Sequence, residues 1–415
     1  MNSTPLRVLD IAAILIYLAG MAGMGLYFAR RNTSTEEYFV GNRSFRGWVV
    51  GLSMLGTTIS SVTFLAFPGD AFGGDWRNLV SNLTLPLVAV VAIALFIPFF
   101  RRGNLTSAFE YLEQRFGPIV RLYGVASFII VQLIRLARIL FLMSLPVALL
   151  TGASLQTVIV GTGLFIAFYT IAGGIEAVIW TEVVQSLVLL AGGLVCVGFV
   201  AAELPGGFPQ IFAVASAHHK FDMGGLDPEA AAAGSASPSA GPPSAGRGEA
   251  NDRKENVTAR PGNESLREKL AFFMSRKTLL VVALLGIFEW LTNYACDQTV
   301  VQRYAAAKSL REARKATALF SALALPTWVL FFFVGTCVYV YYQAFPDPAL
   351  ADLPEVDAVF PHFILTRLPA GLSGVVIAGI LAAAMSSLDS SINSIATVTV
   401  VDLLKPYLAK GRDDR

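Results

Sequence analysis

Two stretches of the chain carry more oxygen than an apolar helix needs. In GLSMLGTTISSVTFLAFPGDAF, the hydroxyls of Thr57, Thr58, Ser60, Ser61 and Thr63 fall between Gly51, Gly56 and the Pro68-Gly69 pair. That pattern predicts a helix that breaks inside a membrane. A break exposes backbone carbonyls able to coordinate a small hard cation and amide donors able to meet an anionic group. The plainer alternative is that the hydroxyls bond their own helix carbonyls or pack against neighbouring helices. In ILAAAMSSLDSSINSIATVTVVDL, Ser386 and Ser390 are four apart, Ala383 precedes them by a turn, and Asp389 and Asn393 continue one oxygen-rich stripe. Oxygen sets of this kind suit a hard cation such as sodium and no soft metal. An Asp among apolar residues costs about 2.5–3.5 kcal/mol on insertion scales, which gives Asp389 a functional expectation.

Arg135 and Arg138 lie within SFIIVQLIRLARILFLMSLPVALL, several turns from either end of an apolar run. A guanidinium at that depth pairs with a solute carboxylate or with a protein acid. Glu182, about two turns after Gly173-Gly174, is such an acid, so a structural Arg135–Glu182 pair is the competing reading. Asp297 and Gln298 (LTNYACDQTVVQRY) fall near the cytoplasmic end of their apolar run, as a hydrated cap or a gating contact. Cys196, Cys296 and Cys337 are odd in number and sit in apolar segments, reading as small buried residues rather than a disulfide or zinc framework. The sequence shows no nucleophile with a base, no metal triad and no phosphate loop, which excludes an enzyme reading. It also shows no ring of filter residues and no nucleic-acid signature.

These residues must be positioned by spanning helices. Of 415 residues, 55% are hydrophobic and 14% charged, with a mean hydropathy of +0.61. That apolar content exceeds what one soluble core hides, and runs of about 20 uncharged residues are long enough to cross a bilayer. The pattern predicts an all-α polytopic membrane protein, a single transmembrane domain with about nine spans: 8–29, 47–73, 79–100, 119–150, 154–172, 176–203, 278–299, 316–342 and 370–402. The first is a retained helix, because Arg30 and Arg31 follow it instead of a small-residue cleavage site. Basic residues gather in alternate connections (Arg30, Arg31, Arg43, Arg46; Arg101, Arg102, Arg115, Arg121; Arg303 to Lys315; Lys405 onward). By the positive-inside rule the N-terminus is then outside and the C-terminus cytoplasmic, in a cell membrane. Residues 218–268, rich in Ala, Gly, Ser and Pro, read as a disordered external loop with a solvated His218-His219 pair. The run VFPHFILTRLPAGL in the next external connection predicts a short interfacial helix.

The pieces STEEYFVGNRS, GTTISSVTFLAFPGDAF, TSAFEYLEQRFG, TIAGGIEAVIWTEVVQS, DQTVVQRYAAAKSLREARKA and AAAMSSLDSSINS together resemble the sodium:solute symporter family, and within it the bacterial sialic acid branch. The resemblance implies the LeuT-like inverted-repeat fold and alternating access, with no organic cofactor. The partners it implies are sodium ions, a small polar solute (a sugar or a sugar acid such as sialic acid) and the lipid bilayer, and not nucleic acid. It places a principal sodium site on the carbonyls of Gly56, Ile59 and Ala383 and the hydroxyls of Ser386 and Ser387. It maps a second sodium site onto Glu182, Asp389 and Ser390, and solute contacts onto Thr58, Ser60, Thr63 and Arg135, with Arg135 taking a carboxylate. Asn82 stands where that branch has a glutamine, and Asn78 where it has an aromatic residue.

Family members continue after the ninth span, so the second repeat reads as incomplete. A truncated product, a split transporter completed by a second chain, and a non-transporting relative acting as a solute-sensing or interaction module are the readings this leaves open.

Overall fold

The computed structural model describes residues 8–30, 35–103, 105, 107–224, 278–353 and 355–407. Among these the chain is helical, its only β-type contact being an isolated bridge between Phe45 and Ala307. The helices that matter are α1 (Val8–Ala29), α2 (Thr35–Val40), α3 (Gly47–Thr58), α4 (Ser61–Gly73), α5 (Arg77–Arg102), α6 (Glu110–Phe116) and α7 (Pro118–Thr151). They continue with α8 (Leu155–Glu203), α9 (Gly207–Ala217), α10 (Leu279–Cys296), α11 (Gln298–Ala306), α12 (Leu310–Ala344), α13 (Val359–Thr366) and α14 (Leu372–Tyr407). Seven of them are long and apolar enough to cross a bilayer, and α3 with α4 forms one further span bent by 59°.

That bend falls where the sequence predicts it. Ile59 is extended (φ −81°, ψ 106°) and so is Ser60 (φ −107°, ψ 178°), which leaves the helix and starts it again. Thr58 Oγ1 donates back to the Met54 carbonyl at 2.8 Å and Thr57 Oγ1 lies 3.0 Å from the Ser53 carbonyl, so the plainer reading of these hydroxyls also holds for two of them.

A second break separates α10 from α11 at Asp297 (φ −75°, ψ 116°). The expectation that Asp297 and Gln298 mark a cytoplasmic end is corrected here, since the helix resumes and stays buried to Ala306. The cause is local: Asp297 Oδ1 accepts from Thr299 N at 2.8 Å and Thr299 Oγ1 at 2.7 Å, capping the new helix.

Helix α8 has 49 residues, about 74 Å if straight, more than twice a hydrocarbon core of roughly 30 Å. It folds back at Gly174, whose φ of 60° and ψ of −163° lie in a region open to glycine. Thr170 Oγ1 and Gln185 Nε2 reach the two oxygens of one carboxylate, Asp389, at 2.8 and 3.2 Å. A straight helix would hold those two residues about 22 Å apart.

α14 is the most enclosed spanning helix, and Asp10 of α1 fixes its start. Asp10 Oδ1 accepts from Gly371 N, Ser373 Oγ and Gly374 N at 2.7, 2.8 and 2.9 Å, satisfying donors that a helix N-terminus leaves open.

Two further expectations change. Residues 218–224 are ordered, because Lys220 donates to the Phe72 and Gly74 carbonyls at 2.7 and 3.0 Å; residues 225–268 lie outside the described residues. His218 and His219 are exposed, His218 Nδ1 lying 2.6 Å from Tyr339 Oη. The short helix of the next connection forms as α13 and packs against α4, with Phe360 stacked 5.9 Å from Phe64. Cys296 is exposed, on the outward face of α10 that also carries Leu285 and Phe288, while Cys196 and Cys337 are buried.

Candidate functional site

The two breaks face one cavity of about 400 Å³, within the range of small-molecule sites. Thr58, Ser60 and Thr63 from the first broken helix, Asn82 from α5 and Arg135 from α7 all line it. Asn78 does not: it is exposed, and its Nδ2 donates to Asp70 Oδ2 at 3.0 Å. Arg138, two acids, Glu289 and Asp297, and the aromatic side chains of Trp290, Tyr294 and Trp328 also line it.

Arg135 is held loosely. Its Nη2 is 3.5 Å from the Thr57 carbonyl and its Nη1 is 3.8 Å from Asp297 Oδ2, and the side chain is about a third exposed to the cavity. No Arg135–Glu182 pair forms, which removes the structural alternative. Glu182 is taken by Arg303, whose Nη2 stands 2.5 Å from Glu182 Oε1 with both side chains buried. Ser53 and Ser390 also hydrogen-bond that carboxylate, and Thr57 Oγ1 lies 2.8 Å from Oε1. Arg303 further reaches Ser390 Oγ at 2.6 Å, so a guanidinium supplies the positive charge at this point.

Glu182, Asp389 and Ser390 are therefore not gathered into one ion site. Glu182 and Ser390 surround Arg303, whereas the Asp389 carboxylate turns towards Tyr169 Oη (2.6 Å), Thr170 and Gln185. Successive residues of a helix point about 100° apart, which is why neighbours in sequence serve different clusters.

The principal ion-site residues come together better. Ser387 Oγ donates across to the Thr57 carbonyl at the first break, at 3.2 Å, and Ser386 Oγ donates to the Ala383 carbonyl at 3.1 Å. Ile59, fully buried, has left helical geometry at the same break, and Gly56 lies so close to α8 that a Cβ there would stand 3.0 Å from the Glu182 carbonyl. The donor set is uncharged oxygen throughout, which fits sodium and not a soft metal.

Several residues here escape a reading by sequence. Arg303 and Gln302 look like the end of a span, yet Gln302 Nε2 meets Asn393 Oδ1 and Thr397 Oγ1 at 2.8 and 2.9 Å. Further along α14 towards its C-terminal end, Arg121 Nε donates to Asp402 Oδ1 at 2.7 Å, and Arg121 also bonds Glu113. The Asp-x-Thr capping signature could have revealed the second break; no local signal points to the Arg303–Glu182 pair.

The pattern described as Sodium:solute symporter family matches residues 38–414. The chain is 28% identical over 403 residues to the sodium/sialic acid symporter NanT of Aliivibrio fischeri (strain ATCC 700601 / ES114), covering 97% of this chain and 71% of that protein. It is 30% identical over 389 residues to the sodium/sialic acid symporter SiaT of Proteus mirabilis (strain HI4320), covering 94% and 70%. Among solved structures it is similar to a substrate-bound, outward-open Na⁺-coupled sialic acid symporter, with a TM-score of 0.82 and 29% identity over 98% of this chain and 76% of that one. Two broken helices around one cavity belong to a sodium-coupled membrane symporter and not to an enzyme, and the chain belongs to the sodium:solute symporter family.

Proposed function

We propose that this symporter carries a sugar acid, sialic acid or a near relative, inward with sodium by alternating access. The observation that carries the substrate class is Arg135: a guanidinium held only by a long 3.8 Å ion pair to Asp297, facing a hydroxyl-lined cavity between two helix breaks. Thr58, Ser60, Thr63 and Asn82 supply donors and acceptors for the hydroxyls of such a solute. Asn82 is shorter than a glutamine and shapes which substituents fit. Sodium would be held by the carbonyls of Gly56, Ile59 and Ala383 and the hydroxyls of Ser386 and Ser387. The Ser387 contact to the first break links that set to the helix that also forms the solute wall. Each sodium entering down a potential of 100 mV contributes about 2.3 kcal/mol to accumulation. The chain crosses the cell membrane nine times, with α8 counting twice and α10–α11 once, and its N-terminus outside.

Competition in proteoliposomes tests the substrate class. Excess unlabelled sialic acid should block uptake of labelled sialic acid, while glucose and galactose should not. Equal block by the neutral sugars would sink the acidic assignment.

A further inference from the structure

Glu289, Asn293 and Asp297 follow one another at four-residue spacing along α10, and all three line the solute cavity. Arg135 and Arg138, three apart on α7, line it from another helix. One helix therefore brings the acids and the other the guanidiniums. Asp297 is engaged: Oδ1 caps α11 through Thr299, and Oδ2 lies 3.8 Å from Arg135 Nη1. Glu289 is not. Its side chain is exposed, and among the described residues it makes no hydrogen bond and no ion pair, while its backbone carbonyl accepts from Asn293 Nδ2 at 3.0 Å. An acid in the middle of an apolar spanning helix is costly, and it marks a functional position by default.

Glu289 precedes Asp297 by two turns, about 12 Å along the helix axis, so it stands at a different level of the cavity from the Arg135–Asp297 contact. A carboxylate held by Arg135 does nothing for it. A solute hydroxyl can donate to Glu289, but an ammonium donates and also supplies the positive charge that this acid lacks. Trp290, the next residue, and Trp328 line the same cavity, and indole faces favour a cation. We infer that the solute is zwitterionic: a sugar acid with a free amino group, whose carboxylate meets Arg135 and whose ammonium meets Glu289. This solute class narrows the sugar acid proposed above and rests on it. Opposite charges brought together favour one another's charged forms, so Glu289 is ionised in that complex. An N-acylated sugar acid enters the same cavity but leaves Glu289 without a counter-charge.

Isothermal titration calorimetry on the purified full chain, in sodium buffer at neutral pH, compares two probes that differ by one acetyl group. They are the methyl α-glycosides of neuraminic acid and of N-acetylneuraminic acid. The wild type should bind the amine about tenfold or more tightly than the acetamide. Glu289→Gln should weaken the amine by that factor and leave the acetamide within about twofold. Because Glu289 is exposed, this variant should melt with the wild type. Arg135→Ala should weaken both probes alike. Equal affinities of the two glycosides for the wild type, or an equal change of both in Glu289→Gln, would overturn the zwitterionic class and leave the sugar-acid reading standing. No binding of either glycoside to the wild type would overturn the sugar-acid reading, and this class with it.

Discussion

Arg135 and Arg303 show how little a residue type says about its role at membrane depth. Arg135 lies on α7 and Arg303 on α11, yet Arg303 is locked to Glu182 at 2.5 Å and Arg135 has only long contacts, at 3.5 and 3.8 Å. Replacing Arg303 by Met leaves a buried carboxylate without its partner, a change of about 3–5 kcal/mol. Thermal melts should show a large loss of stability in Arg303→Met and a smaller one in the double variant with Glu182→Gln; equal losses would mean the pair is not the source. Arg135→Ala should leave stability nearly unchanged. Loss of a charge-assisted hydrogen bond of about 1.5–3 kcal/mol predicts a KM for the acidic solute raised by roughly 10- to 150-fold. A KM unchanged within twofold would assign Arg135 a packing role. Position 135 was legible in the sequence because one side chain, one depth and one charge suffice to flag it. The partner of Glu182 was not: periodicity tells which face a residue shares, not which of several distant helices meets that face.

The breaks belong to the scale of the element. The first was legible because Gly56, paired hydroxyls and Pro68 accumulate in one span, and the structure bends there by 59°. The second was hidden because Asp297 reads as a charge near a helix end, and its capping of Thr299 restarts a helix that composition alone continues or ends with equal ease. The fold-back of α8 was legible as two spans separated by Gly173-Gly174, since glycine permits the positive φ at residue 174. Gly174→Ala places a side chain at φ 60° and ψ −163°, a strained conformation costing about 1–3 kcal/mol. Its Tm should fall, and one equal to the wild type would contradict the geometry. The cap of α14 was unreadable, because Asp10 and Gly371 are 361 residues apart. All three of its bonds fall on Oδ1, so Asp10→Asn can preserve them, whereas Asp10→Ala should lose about 0.5–2 kcal/mol. Equal losses in the two variants would show that charge, not the acceptor, holds the helix.

At the scale of the molecule, the connection after α9 carries a titratable contact. Lys220 caps the end of α4 and lies 3.9 Å over the Tyr339 ring, and burial lowers its pKa from 10.5 to about 8, with Asp75 opposing the shift. The folded chain thus releases this proton at lower pH than the unfolded chain. Between about pH 8 and 10.5 the unfolded state binds more protons, and the contribution of Lys220 to stability rises with pH; below pH 8 it is flat. Lys220→Met should remove that rise from the pH dependence of Tm, and an unchanged profile would assign the rise to other groups.

Transport itself is a property of the whole chain. A sodium gradient imposed across proteoliposomes holding the purified protein should drive labelled sialic acid to a transient concentration above that outside. The Ser386→Ala/Ser387→Ala variant should show no such overshoot. Uptake of equal extent with choline in place of sodium, or an overshoot preserved in that variant, would contradict the account.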